Sequence, residues 1–385
     1  MFMIRNGLVK TVSHGDIPGG AVLIDNGRIA AVGSGLPVPE GCEVFDAGGG
    51  YITPGLIDAH THIGLDETAV RWEGADYNET SAPVTPQMRG IDGLNPMDPA
   101  FEEARRGGVT TAVTGPGSAN VIGGTFLAVK LIGNQADSMV LKDPVAMKVA
   151  FGENPKGCYG QNGRKEPVTR MAIAALLRET LWKAANYARE IERSEKENDG
   201  KRPYDFELEA MLPVIRKEIP LKAHAHRADD ILTVLRIAEE FGVDVTLDHC
   251  TEGHLITDRL IKAGRPVLVG PTLGGKSKFE LKNKSFETAG ILANAGLTVC
   301  IITDAPVIPL EHLALAAGLA VRAGMEEEDA WKAITLNPAR VAGIDSRVGS
   351  LDVGKDADIA VFSSNPLMDI QARAIQVFID GRPTL

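Results

Sequence analysis

The segment Ile57-Asp58-Ala59-His60-Thr61-His62 ends an apolar run in His-x-His. Successive strand residues alternate faces, so on a strand His60 and His62 point together while Thr61 points away, and one metal can reach both imidazoles. Imidazole suits zinc and similar borderline metals. Taken alone, such a pair fits two histidines capping a strand at a surface turn equally well. It is not alone, because His224 and His226 follow the apolar-leaning segment 219–223, His249 follows 243–248, and Asp304 follows 297–303. Four strand-like runs thus end in a potential ligand, and five of the eight histidines of the chain sit at those ends. The pattern reads as a metal-dependent enzyme.

Ligands this far apart in sequence need a scaffold that brings strand ends together. The middle of the chain alternates short apolar strands with amphipathic helices, the pattern of a parallel sheet closed by crossovers. Candidate strands lie at 55–59, 109–113, 126–131, 145–149, 221–223, 243–247, 266–269 and 297–302, and eight of them predict a (β/α)8 TIM barrel. Helix ends are readable. Asp98-Pro99 precedes residues 100–106, which end in Gly107-Gly108, and residues 228–241 carry Ile231, Leu235 and Ala238 at helical spacing before Gly242. The charged segment from 168 to about 198 is expected as an inserted helix over the barrel mouth. In such barrels the C-terminal strand ends form the active face, where His60, His62, His224, His249 and Asp304 would converge.

Both chain ends are different in style. Residues 7–12, 20–24 and 28–32 read as strands with Asp25-Asn26-Gly27 as a hairpin turn, and 358–362 and 374–379 repeat the pattern before Asp380-Gly381. Residues 1–53 and 345–385 are therefore expected to form a small β-sandwich domain flanking a barrel of residues 54–344.

Composition narrows the function. A net charge of −11 over 385 residues, with no dense Lys/Arg face, argues against a nucleic-acid binder and for a small-molecule substrate. Cys42, Cys158, Cys250 and Cys300 form no CxxC pair, so neither a disulfide framework nor a structural zinc knuckle is indicated, and a reducing cytoplasm fits. The first residues lack a basic stretch followed by an apolar one, and no segment approaches the roughly 20 apolar residues that span a bilayer. Gly115-Pro116-Gly117 and Gly123-Gly124 make neither GxGxxG nor a phosphate loop, so no nucleotide cofactor is expected.

Over nearly its whole length the chain resembles the amidohydrolase superfamily. The likeness rests on Thr53-Pro54-Gly55-Leu56-Ile57-Asp58-Ala59-His60-Thr61-His62, on Gly349-Ser350-Leu351-Asp352-Val353-Gly354-Lys355-Asp356-Ala357-Asp358, and on Thr335-Leu336-Asn337-Pro338-Ala339-Arg340. Lys222-Ala223-His224-Ala225-His226 and Ile302-Thr303-Asp304-Ala305 are most similar to imidazolonepropionase-like proteins and metal-dependent prolidases. The resemblance implies that His60 and His62 bind a first divalent metal, zinc above all, together with Asp304, which also moves the proton as general base and acid. It implies that His224 and His249 hold a second ion, or that with one ion His249 orients the substrate. His226 is then a substrate contact.

The bridging ligand stays open between two residues. Lys148, in Val145-Ala146-Met147-Lys148-Val149-Ala150, matches a lysine that some members convert to a carbamate, and a lysine on an otherwise apolar strand needs such an account because burying an ammonium is costly. Glu153 is the competing carboxylate. The expected reaction is hydrolysis of an amide or cyclic amide, with a one-metal deaminase or imidazolonepropionase-like ring opener as the alternative. A non-enzymatic relative would have lost ligands that this chain retains. Arg164, Lys165, Arg227, Lys276 and Lys278 are candidate anchors for a substrate carboxylate. Barrels of this type often assemble, so a homo-oligomer is expected.

Overall fold

The computed structural model describes residues 1–68, 72–161, 166–197 and 202–385. Five strands open the chain: β1 (Phe2–Lys10), β2 (Asp16–Asp25), β3 (Arg28–Ser34), β4 (Glu43–Asp46) and β5 (Tyr51–Pro54). Eight more follow in the middle: β6 (Leu56–Thr61), β7 (Val109–Thr114), β8 (Ile122–Lys130), β9 (Val140–Ala150), β10 (Leu221–Ala225), β11 (Val245–His249), β12 (Val267–Val269) and β13 (Val299–Ile301). The last three are β14 (Ile359–Phe362), β15 (Ala374–Ile379) and β16 (Arg382–Pro383).

The middle strands make one sheet in the order β6 through β13. It closes where β6 meets the end of β13, with His62 N–H donating to the Ala305 carbonyl at 2.7 Å and the Thr303 N–H to Asp58 at 2.8 Å. Every residue of β6, β7, β10, β11, β12 and β13 is buried. Barrel strands face a packed interior on one side and helices on the other, which is why these segments read as continuous apolar runs rather than alternating ones. The fold is thus the expected TIM barrel, with one local departure. β8 runs antiparallel to both β7 and β9, because the connection 115–121 is far shorter than the roughly dozen residues a parallel crossover needs.

Helix Ala228–Phe241 starts with Asp229 and Asp230 in its first turn and ends at Gly242 in the left-handed conformation, φ 65°. The long helix Arg170–Glu197 does not cover the mouth. It buries Ile173, Leu177, Leu181 and Ile191 and packs along the barrel's flank on helices Phe206–Ile215 and Ala228–Phe241.

The end strands form a second sheet in the order β16-β15-β14-β5-β1-β2-β3, with β4 alongside β1. Its own core contains Ile4, Val22, Ile24, Ile52, Ile359, Val361 and Phe378. One polar cluster ties the sheet to the barrel. Lys130, at the end of β8 and nearly buried, donates to Asp356 at 2.7 Å and Asp358 at 3.1 Å, and also to Asp380. Removing one member of a buried ion pair strands its partners without compensation, typically a cost of about 3–5 kcal/mol. Lys130→Met should therefore lower the melting temperature, an outcome checked by calorimetry; an unchanged melt would show the cluster to be energetically neutral. Among the described residues no helix is long and apolar enough to cross a membrane.

Candidate active site

The strand ends bring the predicted histidines and Asp304 to one buried locus. His60 lies on β6 and His224 on β10, each two residues before a second histidine. Alternation along β11 sends Asp248 into the barrel and would send His249 outward with Leu247. The backbone at His249 is left-handed, φ 70°, and returns its ring to the cavity; Asp304 turns likewise at φ 55°. Such conformations are unfavourable for non-glycine residues and persist where the surroundings enforce them.

All five rings are held by the same nitrogen. Nδ1 of His60 meets Asp248 Oδ2 at 2.5 Å, that of His62 the Gly115 carbonyl at 2.8 Å, and that of His249 the Gly270 carbonyl at 2.7 Å. His224 Nδ1 pairs with Ser118 Oγ at 2.9 Å and His226 Nδ1 with Thr251 Oγ1 at 2.7 Å. Anchoring Nδ1 fixes each ring and leaves Nε2 facing the centre, the arrangement metal-binding histidines require. The Gly115 and Ser118 partners come from the tight β7–β8 turn.

Two donor groups result. Asp304 Oδ1 lies 3.4 Å from His60 Nε2 and 3.3 Å from His62 Nε2. Ligand atoms of His224, His226 and His249 lie within 4.8 Å of one another. Among the described residues, His224 Nε2, His249 Nε2 and Asp304 Oδ1 are buried with no hydrogen-bond partner. Leaving such atoms unpaired costs about 1–3 kcal/mol each, and a divalent cation is the group that would satisfy imidazole and carboxylate donors together. The residues present therefore fit a metal centre.

The charges agree with that chemistry. Burial, then the Lys148 charge, pushes the His60 imidazole down to about 3, and burial with the neighbouring rings keeps His224 and His226 well below the usual range, so all three offer lone pairs. Burial alone would raise Asp304, but the neighbouring His249, His60 and His62 imidazoles outweigh it and hold the carboxylate well below its usual range. Asp248 is held down in the same way by Lys222 and His60 against its own burial. Lys148 is fully buried on β9, its Nζ 3.1 Å from His60 Nε2, and burial pushes its ammonium down to about 8.

Other expected residues are placed differently. Glu153 is in neither donor group; its Oε2 accepts the Glu280 N–H at 2.7 Å, because its backbone turns toward the loop after β12. Arg227 does not line the cavity, since both arms of its guanidinium bind Asp229 at 2.8–2.9 Å. Lys276 is turned away as well, donating to the Lys282 carbonyl at 2.7 Å. Arg164 and Lys165 lie outside the described residues. His226 and Lys278 do line the cavity, about 490 Å³, together with His62, Tyr77, Ser118 and Asp304. Glu280, which the sequence did not single out, is fully buried beside His224 and His226.

A barrel that gathers candidate metal donors at its C-terminal strand ends defines the class, a TIM-barrel enzyme with its site on that face. A family model described as the amidohydrolase family matches residues 51–384. The solved structure of an amidohydrolase from Thermotoga maritima MSB8 superposes with a TM-score of 0.96 at 40% identity, covering 100% of both chains. The amidohydrolase tasK of Hapsidospora irregularis is 31% identical over 94% of this chain, which spans only 39% of that protein's length. An imidazolonepropionase of Symbiobacterium thermophilum is 26% identical over 90% of this chain and 84% of its own. The chain belongs to the amidohydrolase family, whose members are hydrolases of carbon–nitrogen bonds.

Proposed function

We propose that the protein hydrolyses an amide or cyclic amide bond of a small substrate. The observation that carries this reading is the set of orphaned atoms at one buried locus, His224 Nε2, His249 Nε2 and Asp304 Oδ1. His60, His62 and Asp304 would hold one divalent ion, zinc first among candidates, and His224 and His249 a second, with Lys148 as a carbamate contributing an anionic donor between them. A divalent ion in such a site makes water nucleophilic near neutral pH and polarises the scissile carbonyl. Asp304 is ionised and turns Oδ1 toward His60 and His62, so its other oxygen takes the proton of the attacking water and delivers it to the leaving nitrogen. Lys278 and Ser118, on the cavity wall, orient the substrate. Residues 54–344 form the catalytic unit in this reading. The compartment is the reducing cytoplasm, consistent with four cysteines that form no CxxC pair, and the protein works as a homo-oligomer.

A one-metal deaminase or imidazolonepropionase-like ring opener is the second reading, favoured by the likeness to an imidazolonepropionase over 90% of this chain. Metal content per chain, measured on protein purified with bicarbonate and paired with mass detection of a carbamate on Lys148, separates the two. Near two ions with the carbamate is expected, along with turnover of N-acyl amino acids or dipeptides that chelation abolishes and added zinc or manganese restores. Near one ion with an unmodified lysine would favour the second reading. Turnover that survives complete chelation would overturn both.

A further inference from the structure

We infer that Glu280 and His226 are ligands of the second cation beside His224, so that its site is a mixed imidazole–carboxylate set. The inference rests on the metal-centre reading above and extends it to two residues that the family likeness does not place on a metal.

The geometry centres on one oxygen. Glu280 Oε1 lies 3.7 Å from His224 Nε2 and 3.7 Å from His226 Nε2. That spacing is beyond hydrogen-bond range. It is close to the distance between neighbouring donors around one tetrahedral ion, about 3.4 Å for metal–ligand bonds of about 2.1 Å. Both imidazoles are locked to aim there, because Ser118 and Thr251 hold their Nδ1 atoms. His224 Nε2 has no partner, though His224 is only 2% exposed.

Glu280 is built into its place. Its Oε2 accepts the Glu153 N–H at 3.0 Å, its own N–H donates to Glu153 Oε2 at 2.7 Å, and Lys278 Nζ lies 3.0 Å from Oε1. A carboxylate oxygen has two lone pairs, so Oε1 can serve Lys278 and still face the histidines. Gly152 clears the approach: it stands at φ 82°, and a Cβ there would come within 2.6 Å of Glu280 Oε2. A buried carboxylate with no cavity role would need only its ion pair; this one is docked by two loops so that its second lone pair meets two imidazoles. His226 then belongs to the ion rather than to the substrate.

The test counts ions. Wild-type protein, Glu280→Gln and His226→Gln would be loaded with zinc, desalted and analysed for metal per chain, with affinity measured by competition against a chromophoric chelator. The expected result is two ions for the wild type and close to one for each variant, the lost ion binding more than about 100-fold more weakly, above the usual cost of losing only an outer partner of a ligand. Two ions retained by both variants at wild-type affinity would overturn the inference and leave the two-ion centre standing. A wild type that binds no ion would overturn the metal reading itself. If Glu280→Gln does not fold, His226→Gln decides, since it leaves the Glu153–Glu280–Lys278 contacts intact.

Discussion

Asp304→Asn should lower kcat by about 10²–10⁴-fold, the usual contribution of a positioned acid–base group. Asparagine is nearly isosteric and tolerates the left-handed backbone that position 304 adopts at φ 55°, so the variant should fold and melt like the parent. What it loses is the negative charge and the ability to take a proton. Steady-state kinetics with metal content measured on the same preparation make the result interpretable. A full complement of metal with a collapsed kcat assigns the proton transfer to Asp304, whereas full metal with near-normal kcat would remove Asp304 from that role.

Asp248→Asn is the second large effect. Asp248 accepts His60 Nδ1–H at 2.5 Å, Lys222 Nζ at 3.0 Å and Thr246 Oγ1–H at 2.7 Å, all fully buried. An amide oxygen in the place of Oδ2 can still accept from both His60 and Lys222, but it carries no charge, so the buried ammonium loses its counter-charge. The expected cost is about 3–5 kcal/mol in stability, and about 10–100-fold in metal affinity as His60 exchanges an anionic partner for a neutral one. Denaturant unfolding and chelator competition would measure the two. Unchanged metal affinity would mean that the His60 ring is held by packing alone.

These two residues mark what could be read from the chain and what could not. His60, His62, His224 and His249 announce themselves because each ends an apolar run, and the periodicity that marks a strand also says which way the ligands point, except at His249, whose left-handed backbone reverses its ring. Asp304 was legible for the same reason. Asp248 stands beside His249 and reads as part of the strand, because only closure of the barrel shows that it reaches across to His60. Glu280 is farther from the sequence logic still. It sits in a loop with no strand to orient it, and its meeting with His224 and His226 depends on the loop clasp to Glu153. Arg227 and Lys276 failed as cavity residues because a loop cation finds a nearby acceptor, Asp229 or a backbone carbonyl, before it finds a cavity. The helix Arg170–Glu197 carries a clear apolar face, but periodicity tells which side is buried and not which part of the molecule buries it. The reversal of β8 was visible only as the shortness of residues 115–121.

The placement of β5 between β1 and β14 sets an order of events during synthesis. A ribosome delivers the N-terminal strands first, and until residues 359–362 emerge β5 presents an unpaired edge, the kind of edge that recruits other chains. Lys130 waits equally long for Asp356, Asp358 and Asp380, so the barrel strand that carries it holds an uncompensated charge through most of translation. Residues 356–380 thus close the sheet and neutralise the lysine together, and a nascent chain stalled before them is the form most in need of a chaperone.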